Sequence, residues 1–407
     1  MRIKVGVIFG GETVEHEVSI ISAIQAMNKI DEKKYEVIPI YITKDREWYT
    51  GDMLKDIEVY QDFSLIKKYS DNVVLYYKDG SYVLQKKHGL FKSVVKELDI
   101  AFPIVHGTNV EDGVLQGYLQ TIGIPYVGPN VYAAVVGQDK AFMKDVWASA
   151  NLPIKNYVWF YDNDYRQDPE EVIKKVSKLK YPVIVKPATT GSSVGINVCD
   201  DESSLKEAID EAVQYDSKIV VEEVVEDLKE VNIAVMGNYE HQKVSEIEEV
   251  LSCNKFLTYT DKYIGGGKTK GKLKTPVKGA SKGMASASRK LPADLDDDVR
   301  KEVERVAKEA FKVLGSSGNS RIDFLIDRKD NKVYLNEINS IPGSLAFYLW
   351  DAKDINFTKV LDDMINIGIK DYKKRVSKTH SFETNILAGF ASNGGLKGAK
   401  GVKGKLR

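Results

Sequence analysis

The chain has 407 residues, 43% of them hydrophobic and 29% charged, with Lys plus Arg and Asp plus Glu both numbering 59. That length leaves room for two or three domains with separate cores. The even balance of charge excludes a whole-chain attraction to nucleic acid or to an anionic membrane.

Strand-like and helix-like segments alternate from the start. Residues 3–9 read as a buried strand and 15–29 as a helix with Val18, Ile21, Ala23 and Met27 at helical spacing. Further strands at 35–42 and 100–105 and a helix at 114–122 predict a doubly wound parallel sheet with helices on its faces, in an N-terminal α/β domain over 1–131. A polar, Tyr- and Lys-rich insertion at about 45–97 is expected to form its own hairpin from 73–77 and 82–85. A second unit, 132–230, holds helices at 140–150 and 204–213 and strands at 183–186 and 219–222. A third, 231–378, holds a helix at 296–314 and a hairpin after it. Residues 262–290 are Gly-, Ser- and Lys-rich and read as poor in structure, and the tail 379–407 ends in the basic stretch 394–407. Cys199 and Cys253 fit neither a disulfide framework nor a zinc spacing. With no apolar run near the ~20 residues of a membrane span and no signal-peptide pattern, the expected compartment is the cytoplasm.

The hairpin carries the first chemical signal. Arg321-Ile322-Asp323 and Asn336-Glu337-Ile338-Asn339 flank strands at 324–326 and 333–335, joined by a polar turn at 327–332. Antiparallel pairing brings Asp323, Glu337 and Asn339 to one end. Three oxygen ligands beside an arginine suit Mg²⁺ held against a polyphosphate, with a fixed cation for charge that develops in phosphoryl transfer. An ordinary polar surface hairpin is the alternative. Lys186 ends a strand and leads into the glycine-bounded, hydroxyl-rich loop 187–195, with Ser192 and Ser193 at its centre. Such a loop offers backbone N–H groups and hydroxyls to a phosphate, though it lacks the P-loop order and equally fits a flexible turn. The strand 219–222 exits into Glu223-Val224-Val225-Glu226 and reaches Glu230, a layout that offers backbone groups to an adenine edge and a carboxylate to ribose, or else a solvated acidic face. Lys140 opens a helix and is either a second phosphate ligand or a surface lysine.

Three more stretches complete the pattern. Gly10-Gly11-Glu12-Thr13-Val14-Glu15-His16-Glu17-Val18-Ser19 is a tight turn feeding a helix, with Glu15 in its first turn, where carboxylates are favoured. Val105-His106-Gly107-Thr108-Asn109-Val110-Glu111-Asp112-Gly113 lies just past a strand, at the ligand-binding edge of an α/β sheet. Lys262-Tyr263 precedes Gly265-Gly266-Gly267 and many lysines. In this order the stretches resemble the D-alanine–D-alanine ligase family of the ATP-grasp superfamily, over about residues 3–367. The resemblance implies α/β and α+β architecture: a pre-ATP-grasp domain followed by a two-part ATP-grasp fold. It implies that Lys140, Lys186, Ser193, Glu222, Glu223, Val225 and Glu230 meet ATP and that Asp323, Glu337 and Asn339 hold two Mg²⁺ ions, for which Mn²⁺ can substitute. Glu15, Ser192 and Tyr263 form a hydrogen-bonded trio by the same resemblance. His106 and Lys262 then contact the small amino-acid substrates, while Arg321 and the Gly343 N–H stabilise a tetrahedral oxyanion.

The implied reaction joins two D-alanines through an acyl phosphate for cell-wall precursors, in a cytoplasmic homodimer with no nucleic-acid or membrane partner. Ligation of other amino or hydroxy acids is the alternative. The chain departs from the family pattern at Glu12, at Val14, and at Glu223, where a lysine is frequent. The segment before Glu230 is one residue longer than usual. After Pro342-Gly343 it reads Ser344-Leu345-Ala346-Phe347-Tyr348-Leu349-Trp350 instead of the Thr- and Ser-rich residues that help bind the second D-alanine's carboxylate.

Overall fold

A strand buried on both faces anchors the first of three sheets. In the computed structural model, which describes residues 2–89, 92–191, 194–251 and 288–382, β1 (Ile3–Gly10) runs parallel to β2 (Tyr35–Ile42) and β7 (Ile100–Pro103). These strands read as continuous apolar runs because helices such as α1 (His16–Met27) cover them. The parallel core is confined to these three strands. Residues of the expected insertion form β3 (Trp48–Thr50), α2 (Phe63–Tyr69), β4 (Asp71–Lys78), β5 (Ser81–Lys86) and β6 (Val94–Leu98). The expected hairpin forms, with β4 and β5 antiparallel, but it is not separate: these strands extend the same sheet in the order β6-β5-β4-β3-β2-β1-β7. Val73, Leu75 and Leu84 explain the difference, since they bury into the same core as Val5, Ile40 and Phe102. In α1, Val18 and Ile21 are only half-buried, whereas the polar His16, Ser19 and Ser22 are buried. After β7 the chain forms α3 (Val114–Ile122), α4 (Val131–Gln138) and α5 (Lys140–Ser149).

The second sheet, β10-β9-β11-β8, is antiparallel throughout: β8 (Tyr157–Tyr161), β9 (Val183–Pro187), β10 (Asn197–Cys199) and β11 (Lys218–Glu223). Between these strands lie α6 (Asp162–Gln167), α7 (Pro169–Val176) and α8 (Glu202–Ala212). Leu205, Ala208, Ile209 and Ala212 make one face of α8 and pack on Val183, Val185, Ile219 and Val221.

The third sheet has the order β14-β13-β12-β15-β16, with β12 (Leu228–Gly237), β13 (Gln242–Leu251), β14 (Ser288–Lys290), β15 (Gly318–Asp327) and β16 (Lys332–Asn339). β14 falls at the end of the stretch 262–290 read as poor in structure, and its backbone pairing with β13 decides the matter there. One sheet face packs Ile233, Ile247, Ile322 and Phe324 against Val303, Val306 and Ala310 of α9 (Asp297–Val313). Strand alternation therefore leaves Asn232, Glu248, Asp323 and Glu337 on the other face. Beyond β16 come α10 (Phe347–Asp351) and α11 (Phe357–Val376). These sheets belong to a compact unit, Met1–Ile369. The second unit starts at Lys370; its last helical turn carries Lys373, Lys374 and Arg375, where cations meet the negative helix end. Among the described residues no helix is long and apolar enough to cross a membrane.

Candidate active site

The expected hairpin pairs as read. Arg321 stands opposite Asn339 and Asp323 opposite Glu337. Arg321 donates from Nε and Nη2 to the two Asp323 oxygens, each at 2.7 Å, and Asn339 Nδ2 donates to Asp323 Oδ2 at 3.2 Å. Burial alone lowers the Arg321 pKa, but Asp323 more than offsets this and holds the guanidinium well above its usual range.

Lys140 Nζ donates to the Thr190 carbonyl at 2.8 Å and lies 4.0 Å from Glu337 Oε2, so the phosphate-type loop and the hairpin share a cation. Asp139 caps α5 just before it and is itself paired with buried Lys218 at 2.5 Å. Lys186 Nζ donates to Glu222 and to Asn336 Oδ1, the latter at 3.3 Å. Glu222 also pairs with Lys144 at 2.5 Å. Lys144 is almost wholly buried, and sequence reasoning missed it. Its spacing of four from Lys140 on α5 was the available signal, but a helical lysine reads as solvated. Burial pushes the Glu222 carboxyl up, yet Lys144 and Lys186 outweigh it and bring it down to about 2. Burial pulls the Lys144 ammonium below its usual range against the pull of Glu222, so Glu222 is the shared counter-ion of both lysines.

Glu223 is held by Lys155, Asn156 and the Lys180 N–H, which turns its carboxylate to structural use. Val225 is buried, and Glu230 lies on β12 opposite Val250 and Leu325.

Glu15 caps α1, and its carboxylate lies between two loops. A Cβ at Gly107 or at Gly191 would each come 3.0 Å from Glu15 Oε2; Gly107, with φ of 84°, needs glycine, while at Gly191 the carboxylate would have to shift by a few tenths of an ångström. Gly191 directly precedes Ser192. Ser192, Ser193, Lys262 and Tyr263 lie outside the described residues.

His106 occupies the expected loop, but both ring nitrogens have protein partners. Nδ1 bonds the Ile341 carbonyl at 2.8 Å and Nε2 pairs with Ser22 Oγ at 3.0 Å. Because the carbonyl can only accept, Nδ1 carries the proton and Nε2 accepts from Ser22. Burial lowers the His106 pKa and favours that neutral ring. Ser22 Oγ in turn accepts the Ser344 N–H at 2.8 Å. His106 thereby ties the first helix to the segment around Gly343. Ser344, Leu345 and Ala346 follow with φ of 51, 52 and 45°, three non-glycine residues in the left-handed region. Asn319 braces them by donating to the Leu345 carbonyl at 2.7 Å.

Glu111, also missed, makes a parallel tie. Its carboxylate accepts the Gly107 and Ile341 N–H groups and the Ser340 hydroxyl at 2.9–3.0 Å. Burial raises its pKa to about 7 against those donors, with the Glu15 charge adding to the rise. Stability linked to this proton is fully present below about pH 4.5 and lost as pH rises through about 7. The melting temperature of Glu111→Gln relative to the parent is therefore expected to improve from about pH 5 to about pH 8. A difference that stays constant with pH would refute the linkage.

Comparison with known proteins shows the family of the chain. The profiles described as D-ala D-ala ligase N-terminus and C-terminus match residues 4–129 and 146–366. The D-alanine–D-alanine ligase of Thermosipho africanus is 38% identical over 386 residues, covering 95% of this chain and 98% of the relative. The structure of the D-alanine–D-alanine ligase from Coxiella burnetii superposes with a TM-score of 0.75 at 26% identity, covering 96% of this chain and 98% of that one. The VanG D-Ala:D-Ser ligase of Enterococcus faecalis does so with a TM-score of 0.75 at 29% identity, covering 90% and 100%. With both profiles filled in order along one chain, this protein belongs to the D-alanine–D-alanine ligase family.

Proposed function

We propose that the protein joins two D-alanines to D-alanyl-D-alanine, converting ATP to ADP and phosphate, as a cytoplasmic step of peptidoglycan precursor synthesis. The observation that carries this reading is the meeting of Lys140 and Lys186 with Asn336, Glu337 and the Arg321–Asp323 fork. Cations aimed at an oxygen-rich strand end suit a triphosphate. Asp323, Glu337 and Asn339 offer only oxygen donors on paired strands, a set that fits Mg²⁺ or Mn²⁺. Among the described residues no three acid, His or Cys side chains could hold a metal, so the set depends on the Asn339 amide. When bound there, the ions would neutralise charge on the phosphates.

In this reading the first D-alanine's carboxylate attacks the ATP γ-phosphorus, ADP leaves, and an acyl phosphate forms. The second amine attacks its carbonyl, loses a proton, and phosphate leaves. Lys140, Lys186 and Ser193 hold phosphates, the exit from Glu222 and Glu223 to Val225 meets adenine, and Glu230 meets ribose. Glu15, with Ser192 and Tyr263, orients the first amino acid's amine, and Lys262 assists. His106 sets the segment that brings the Gly343 N–H and Arg321 to the oxyanion. Ligation of D-alanine to another amino or hydroxy acid is the second reading, favoured by the departure at 344–350 and by the D-Ala:D-Ser ligase among the structural neighbours. Phosphate release screened over D- and L-amino acids and hydroxy acids, with mass analysis of the product, decides between them. If D-alanine is inert while another substrate turns over, the first reading fails.

A further inference from the structure

Glu248 lies on β13, two strands from Asp323 in the third sheet, and it gathers three donors. It is 1% exposed and accepts from Tyr348 Oη at 2.6 Å, Asn232 Nδ2 at 3.1 Å and Arg289 Nη1 at 3.5 Å. The Arg289 guanidinium lies over the Tyr348 ring, 5.0 Å from its centroid. Register places this group in line with the chemistry. Asn232 stands opposite both Glu248 on β13 and Asp323 on β15, and Asp323 stands opposite Glu337. One polar row thus crosses four strands, and at the usual strand spacing Glu248 is roughly 10 Å from Asp323 across it.

Two atoms in or beside this row lack a hydrogen-bond partner among the described residues: Arg289 Nε and Asn232 Oδ1, both buried. Asn232 as a whole is 6% exposed. A buried guanidinium N–H and a buried amide oxygen left unmatched are unfavourable unless a ligand completes them. Their chemistry is complementary to the two ends of an amino acid: a carboxylate for the guanidinium, an amine for the amide oxygen.

The side chains of 344–350 offer no free donor of the Thr and Ser kind that the family pattern places there. Leu345, Ala346, Leu349 and Trp350 are core residues, Phe347 stacks on Phe357, the Ser344 N–H is held by Ser22, and the Tyr348 hydroxyl is held by Glu248. We infer that Arg289 binds the carboxylate of the second amino acid, held in place by Glu248 and the Tyr348 ring, with Asn232 Oδ1 accepting from that amino acid's amine. The amine then faces the Asp323 end of the row, and the Tyr348 ring walls the site against large side chains. This assignment rests on the ligase reading above.

The test compares two acceptors for the acyl group formed from D-alanine and ATP: D-alanine itself, and hydroxylamine, which has no carboxylate. Arg289→Ala is expected to raise the KM for the second D-alanine roughly ten- to hundredfold, and Arg289→Lys by less. Hydroxamate formation should be unchanged in both, which also shows that the variants fold and activate D-alanine. An unchanged second KM overturns the assignment, and so does an equal loss with both acceptors in both variants. Absence of ATP-dependent hydroxamate in the parent protein sinks the ligase reading, and the role of Arg289 with it.

Discussion

Arg321→Ala is expected to lower kcat by ~10²–10³-fold while ATP still binds, the usual effect of removing one donor from an oxyanion site. The side chain is fixed before substrate arrives, because its fork to Asp323 leaves it one orientation. Removing it also leaves the Asp323 carboxylate, 4% exposed, with a weaker set of partners. Arg321→Lys separates the two effects: it restores the charge without the fork and is expected to recover stability more than turnover. D-Alanine-dependent phosphate release gives kcat, and nucleotide binding by calorimetry gives the control. Near-normal turnover in Arg321→Ala would refute the role, and loss of ATP binding would move it to the nucleotide.

Glu222→Gln is expected to be the most destabilising of the single changes considered. It removes the shared counter-ion of Lys144 and Lys186, and breaking a buried ion pair from one side typically costs about 3–5 kcal/mol. The same residue sets an acid limit. A carboxyl whose folded pKa falls from 4.5 to about 2 contributes stability above pH 4.5 that is lost as pH falls toward 2, on the order of 3 kcal/mol. Melting temperatures of parent and variant should therefore differ most at neutral pH and converge on acidification below about pH 4.5. A gap that persists or widens in acid would show that Glu222 is not the ionised partner of the two lysines.

Much of the architecture was legible in local pattern. Residues 35–42 and 114–122 carry apolar periodicity that matches their own neighbourhoods, and both elements formed at those bounds. The hairpin strands β4 and β5 were legible, but their joining the first sheet through β3 was not, because it is decided by long-range burial of Val73 and Leu84. At the site, Arg321, Asp323, Glu337 and Asn339 could be read because one turn closes the hairpin that gathers them. Lys144, Glu111 and Ser22 could not. Each takes its role from partners 78, 230 or 322 residues away, Glu222, Ile341 and Ser344, and the one local signal, the spacing of Lys144 from Lys140, does not by itself mark a buried lysine. His106 was read correctly as a loop residue, yet its ring is engaged on both sides by groups that sequence spacing does not bring near.

The run Ser344–Leu345–Ala346 restricts which sequences this ligase can drift through. A β-branched residue fits poorly where the backbone turns left-handed, so valine, isoleucine and threonine are disfavoured at all three positions. Diversification of the acceptor wall is channelled to Tyr348, whose backbone lies in an ordinary helix, and to its neighbour Arg289. New acceptor preferences in this lineage would arise by exchanging those two side chains while the loop that carries Gly343 keeps its shape.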